Sequence, residues 1–121
     1  MSVILQPCGN PAGRKHYQDT ITNLVPLASH QDLLAPIHEE LKRIFPSGSA
    51  PIWGVTPGKN GVNINKYNKT EAGDTVLFSR DGGMVNSATL ALKFHSAAFA
   101  RRLWGEDPNG LTWEYVYFLD E

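Results

Sequence analysis

The side chains most able to do chemistry are spread along the chain and form no catalytic motif. His38 begins a His-Glu-Glu run, but the position four residues later is Lys42, so the paired histidines of a zinc-protease helix are missing. Ser79 lies in Phe-Ser-Arg and not in the Gly-x-Ser-x-Gly turn that exposes a nucleophilic serine. The other histidines are His16, His30 and His95. We expect no catalytic residue, no metal site and no cofactor.

Three tryptophans indicate a different chemistry. They are Trp53, Trp104 and Trp113. Two or three aromatic faces can enclose a flat base that has left its nucleic-acid strand, while a few polar groups read the edge of that base. The alternative for each indole is a plain core position. Trp53 stands beside Gly54, which allows close approach to the backbone.

Charge limits the kind of partner. Eleven basic and twelve acidic residues give a net charge of -1, which argues against binding nucleic acid by neutralising many phosphates. A reader that takes its selectivity from a pocket needs only a local basic rim. The alternative is an ordinary solvated surface of mixed charge. The candidate phosphate-binding residues are Arg14, Lys15, Lys59, Lys66, Lys93, Arg101 and Arg102.

Length and composition predict a single domain over residues 1–121. The lone Cys8 has no partner for an intramolecular disulfide and suits a reducing compartment. No apolar run reaches the roughly 20 residues of a membrane span, and the N-terminus lacks a secretory signal pattern. We expect a cytoplasmic protein that does not contact membranes.

Periodicity and turn residues predict the elements that must position these side chains. Strands are expected at 3–5, 52–55, 75–79, 84–94 and 112–118, helices at 36–45 and 97–104, and a helical turn at 63–67. Residues 7–17 are expected to form a loop, and residues 19–27 an extended segment. Asp81-Gly82-Gly83 predicts a hairpin turn, and Ser96 is expected to cap the helix that follows it. In the 84–94 strand, Leu90, Leu92 and Phe94 are expected to share one side. This order predicts an α+β fold with a strongly curved sheet or open barrel flanked by helices.

Four segments resemble the PUA-like superfamily, specifically its EVE and YTH-like branches. They are Ile52–Val55, Ala72–Phe78, Leu103–Gly105 and Trp113–Leu119. The last two, with Lys93–Ser96, resemble the DNA-reading domains attached to McrB-like restriction GTPases and other modification-dependent endonucleases. The resemblance covers about residues 50 to 119.

The resemblance implies a PUA-like fold and a DNA-binding module that flips a methylated base into an aromatic cage. Trp53 would form the first wall, with Trp104 and then Trp113 as further candidates. The residues expected to read the base edge are Gly54, Asn63, Asn65, Ser79 and Asn86. The favoured base is 6-methyladenine, followed by 5-methylcytosine or a hydroxymethylated base. The chain would be the N-terminal specificity domain of a restriction system, with an effector nuclease or GTPase in cis or in trans.

Two other functions fit the same resemblance. A reader of modified RNA would use the same cage. A small hydrolase, like those of the related ASCH branch, would need a placed lysine and acid that the sequence does not assign. We expect this chain by itself not to be an enzyme.

Overall fold

The computed structural model describes residues 3–120 and has an α+β architecture. The strands are β1 (Val3–Pro7), β2 (Val25–Pro26), β3 (Ser49–Ala50), β4 (Ile52–Val55), β5 (Thr75–Arg80), β6 (Gly83–His95) and β7 (Tyr115–Asp120). The α-helices are α1 (Pro11–Tyr17), α2 (Gln31–Leu34), α3 (His38–Ile44), α4 (Val62–Lys69) and α5 (Ala97–Trp104). A π-helical turn spans Gln18–Thr22, and 3-10 turns span Leu27–His30, Ala35–Ile37 and Lys59–Gly61.

The main sheet has five strands in the order β1-β5-β6-β7-β4. β1 pairs with β5 in parallel and the other pairs are antiparallel, so the sheet is mixed. Across four strand spacings, the outermost strands of a flat sheet would lie about 19 Å apart. Nevertheless, Trp53 on β4 hydrogen-bonds Gln6 on β1 at 3.0 Å. The sheet is therefore strongly curved. No backbone ladder joins β1 to β4 within residues 3–120, so these strands form no closed barrel.

Two hydrophobic cores lie on opposite faces of this sheet. The concave core lies inside the curve and contains Ile4, Cys8, Ile21, Trp53, Val76, Phe78, Ala88, Leu90, Tyr117 and Leu119. The helix-covered core contains Val25, Leu27, Leu34, Leu41, Phe45, Ala50, Ile52, Phe99, Val116 and Phe118. Alternate residues of β7 enter each core, so this strand is buried on both faces.

A β-bulge in β6 corrects the expected alternation of that strand. Leu90 pairs with Leu119, but Leu92 pairs with Phe118, which leaves Ala91 as an extra residue. Because side chains alternate between faces, the extra residue reverses the faces that follow it. Leu90 enters the concave core, whereas Leu92 and Phe94 contact the helix-covered core. The prediction that these three share one side is wrong.

The C-terminal elements follow their local signals. The Ser96 hydroxyl accepts a hydrogen bond from the Phe99 amide at 3.1 Å, which caps α5 as expected. Asp81 and Gly82, with φ of 53° and 80°, form the predicted hairpin turn. The last strand begins at Tyr115, so the expected start at Thr112 is wrong.

The N-terminal half departs more from expectation. The loop predicted for residues 7–17 contains α1, whose first turn is capped by the Asn10 side chain accepting from the Gly13 amide at 2.6 Å. The extended segment predicted for 19–27 begins instead with the π-helical turn. Residues 35–37 form a 3-10 turn around Pro36, so the regular helix begins only at His38.

The helices cover the sheet as predicted. Leu41 of α3 and Phe99 of α5 are buried in the helix-covered core. Tyr67 of α4 packs against the concave core, and α4 is longer than the helical turn expected there. Within residues 3–120, no helix combines the length and apolar character needed to cross a membrane.

Candidate functional site

An open cleft with a volume of about 720 Å³ separates the outer edges of β1 and β4. We call it the seam cleft. Its lining includes Gln6, Pro7, Asn10, His16, Trp53, Gly54, Val55, Asn63, Lys66, Asp107 and Trp113. Its volume lies within the roughly 300–1,000 Å³ typical of small-molecule sites. The curvature that brings the two edges together therefore also creates a site large enough for a planar heterocycle.

Trp53 and Gln6 join the two edges at the bottom of this cleft. Trp53 is only 5% exposed, and its ring meets Phe78 edge-on, with the centroids 5.1 Å apart. Its indole nitrogen donates to Gln6 Oε1 at 3.0 Å. Trp53 therefore serves the concave core and the cleft at once, and most of its surface is already covered by protein.

Within residues 3–120, the oxygen of the Gln6 amide has a hydrogen-bond partner and the nitrogen has none. Gln6 is 8% exposed. An indole N–H can only donate, so the amide oxygen must face Trp53. The amide nitrogen is left, and no group within residues 3–120 hydrogen-bonds it. Since Gln6 lines the cleft, this nitrogen is a fixed donor available to a ligand.

His16 is the second buried polar group on the cleft. It is 7% exposed, and its ring lies 4.2 Å from that of Trp113 at 86° and 5.5 Å from that of Trp104 at 34°. Burial lowers the pKa of His16 below its ordinary value, which favours the neutral ring at pH 7. A neutral imidazole has one donor and one acceptor nitrogen. Neither is hydrogen-bonded by another residue in the described range 3–120.

Gly54 allows the Trp104 ring and the Trp113 carbonyl to approach the backbone of β4 closely. A Cβ at this position would lie 2.5 Å from the Trp113 carbonyl oxygen and 2.6 Å from Trp104 Cζ3. Trp104 packs against the helix-covered core, outside the cleft lining. Its buried indole nitrogen has no hydrogen-bond partner in the described part of the chain. The space expected beside Gly54 for a base is, on this face, occupied by protein.

The structure brings some predicted pocket residues together and separates others. Trp53, Gly54, Asn63 and Trp113 line the cleft. The residues outside its lining are Trp104, Asn65 on α4, Ser79 on β5 and Asn86 on β6.

Among the predicted phosphate-binding residues, Lys66 lines the cleft and makes no ion pair within residues 3–120. Lys59 is exposed in the turn before α4, and Lys93 donates to the Tyr67 carbonyl at 2.8 Å. The others are paired with carboxylates: Arg14 with Asp81, Lys15 with Asp19, Arg101 with Glu106 and Arg102 with Asp32.

Gln6 and His16 were missed from the sequence, although each left a signal. Ile4 and Gln6 of the first strand, and Cys8 directly after it, are alternate residues and are all buried. A polar residue at such an inward position needs a partner. For His16 the signal was Asn10 followed by a proline, which is a helix start as well as a turn pattern.

Comparisons with protein-family models, curated proteins and solved structures find no match for this chain. Within residues 3–120, no group of three or more His, Cys, Asp or Glu side chains is placed to hold a metal ion.

Proposed function

We propose that this chain is a DNA-binding module that recognises a methylated base flipped into the seam cleft. The observation that carries the proposal is the presence of indole and imidazole rings beside buried polar groups that lack protein partners in the described chain. The curved sheet with flanking helices also suits the PUA-like fold of the EVE and YTH-like branches. In that setting the module would supply specificity to a modification-dependent restriction system.

The energetics of base flipping suit this site. Extruding a base costs a few kcal/mol, and stacking on an aromatic side chain returns roughly 1–3 kcal/mol. Trp113 is half-buried and lines the cleft, so it is the tryptophan best placed to offer a ring face. Trp53, which is 5% exposed, contributes the floor of the site. A base methyl group adds about 1 kcal/mol when it enters an apolar niche.

Contacts to the DNA backbone are expected to be few. Lys66 lines the cleft and has no ion-pair partner within residues 3–120, and four of the other predicted cations are already held by carboxylates. Affinity must therefore come largely from the pocket, as the near-neutral charge of the chain also indicates. We propose 6-methyladenine as the preferred base and an effector nuclease or GTPase as the partner.

The hydrolase alternative has one observation in its favour. Lys66 and Asp107 line the same cleft. However, Asp107 Oδ1 accepts from the amides of Asn109 and Leu111 at 2.8 and 2.9 Å, which is the role of an acid that caps its own loop. Turnover of an amide or nucleoside substrate that disappears in Lys66→Ala would favour the enzyme.

A binding panel tests the proposed function. Identical duplexes carry 6-methyladenine, 5-methylcytosine, 5-hydroxymethylcytosine or no modification, and matched RNAs carry the same bases. We expect one modified DNA duplex to bind at least about tenfold more tightly than the unmodified one. Trp113→Ala should remove that preference, whereas Met84→Ala, at a position that is 68% exposed and outside the cleft lining, should keep it. Equal affinity for all duplexes contradicts the proposal, and preference for the RNA favours an RNA reader.

A further inference from the structure

We propose that Gln6 orients the base bound in the seam cleft: Trp53 fixes the Gln6 amide so that its nitrogen donates to an acceptor on the base. The acceptor is a ring nitrogen or a keto oxygen. This inference rests on the proposed function and names the polar contact by which the cleft reads its ligand.

The orientation of the amide follows from its neighbour. Trp53 Nε1 lies 3.0 Å from Gln6 Oε1. Turning the amide over would place its NH₂ group against the indole N–H, two donors facing each other. Both side chains are more than nine-tenths buried, so water has little access to relieve such a conflict. The donor end is therefore fixed before any ligand arrives.

The hydrogen bond from Trp53 accounts only for the oxygen of the Gln6 amide. An acceptor alone would satisfy the indole, yet glutamine adds an NH₂ group that no residue in the range 3–120 accepts from. Polar groups on residues buried to this degree are ordinarily paired with protein or water. Gln6 lines the cleft, so solvent there can satisfy the nitrogen until a ligand replaces it.

The fixed donor determines what a ligand must present. Adenine derivatives offer ring-nitrogen acceptors at N1, N3 and N7, and cytosine derivatives offer N3 and O2. Methylation of the exocyclic amine or of C5 leaves these atoms unchanged. Gln6 would therefore set how the bound base is turned in the cleft, while the apolar part of the cleft senses the methyl group.

Gln6→Glu is the variant that separates the two halves of the side chain. It keeps an oxygen for the Trp53 N–H and replaces the donor with a second acceptor. The matched control is Gln18→Glu, which makes the same charge change at an exposed position beyond α1. Binding of the preferred modified duplex and of the unmodified duplex is measured for both variants and the wild type.

We expect Gln6→Glu to lose about tenfold or more in affinity for the modified duplex, the effect of one hydrogen bond. Gln18→Glu should change that affinity by less than about twofold. A folded Gln6→Glu protein that keeps the wild-type affinity for the modified duplex overturns the proposal.

A second arm takes its main readout from the wild-type protein, so it can overturn the inference even if Gln6→Glu does not fold. The preferred base is replaced by analogues in which one acceptor is removed or weakened: 1-, 3- and 7-deaza forms for adenine, or 3-deaza and 2-thio forms for cytosine. One analogue should weaken binding about tenfold, with no further loss in Gln6→Glu. If no analogue weakens binding, the inference is overturned while the proposed function stands. If the wild type prefers no modified duplex, both fail.

Discussion

The two cores share β7 but differ in how they end. The helix-covered core is apolar and is closed by the helices that contribute Leu41 and Phe99. The concave core contains Trp53 and opens at the seam, where the buried polar residues Gln6 and His16 line the cleft. The two faces therefore differ in closure: one is covered by helices, and the other leaves hydrogen-bonding groups open at the seam.

The largest expected effect lies in the helix-covered core. Phe118 is fully buried and stacks on Phe99, with ring centroids 6.0 Å apart. Phe118→Ala should lower the free energy of unfolding by about 3–5 kcal/mol. Trp113→Ala, at the half-buried rim of the cleft, should cost clearly less despite its larger side chain. Urea denaturation measures both, and equal losses would contradict the division between the two faces.

Gly54 lies where the two regions meet, so its substitution should affect both. Gly54→Ala places a methyl group 2.5 Å from the Trp113 carbonyl and 2.6 Å from the Trp104 ring. The overpacking should cost about 1–3 kcal/mol and weaken binding by displacing Trp113. The control is Gly83→Ala, whose added carbon would meet nothing closer than the Arg80 carbonyl at 3.9 Å. Wild-type stability and affinity in Gly54→Ala would contradict this prediction, because Trp104 and Trp113 would then have moved aside at no cost.

The salt dependence of DNA binding should respond differently to the loss of a cation at the cleft and of one on the helix-covered side. Lys66→Ala should reduce the steepness of log affinity against log salt by about 0.9, the value for one phosphate contact on duplex DNA. Arg102→Ala should leave the slope unchanged, because Arg102 is bound to Asp32 at 2.7 Å. Titrations at several salt concentrations check this, and a larger change for Arg102→Ala would place the DNA on the opposite face.

The smallest expected effect is on the pH dependence of stability. It involves one histidine at the cleft, His16, and one against Phe99 of the helix-covered core, His30. Burial lowers the pKa of both His16 and His30 from the ordinary value of 6.5. The unfolded chain then takes up protons more readily than the folded one as the pH falls below about 6.5, so stability decreases toward acid. His16→Gln and His30→Gln should each make the decrease shallower. Thermal unfolding between pH 7 and pH 5 measures this loss of stability. Variants that lose stability as steeply as the wild type would contradict the lowered pKa values.

Local signals predicted the elements that are specified locally. Ser96 caps α5, Asp81 and Gly82 form the hairpin turn, and the strand at Ile52–Val55 has the predicted bounds. The π-helical turn could not be predicted in this way. The Thr20 hydroxyl donates to the Ile52 carbonyl, thirty-two residues away, so this conformation depends on tertiary structure.

The same reasoning applies to the site. Trp53, Gly54 and Trp113 could be proposed from residue type and resemblance, and all three line the cleft. Gln6 gains its meaning only when curvature brings β1 to β4, because its partner Trp53 lies forty-seven residues away. The sequence also could not show which of the candidate cations are occupied by carboxylates.

Because Ala91 is an extra residue, β6 should be more sensitive to a change in its length than to a change in residue type. Upstream of Ala91, Ala88 and Leu90 face the concave core, and downstream Leu92 and Phe94 face the helices. Deleting one residue here would send both toward the opposite face and turn Lys93 against the helices. During evolution this strand can exchange one apolar side chain for another, but a single-codon deletion would invert half of it. Homologues should therefore vary in composition around position 91 and keep their spacing across it.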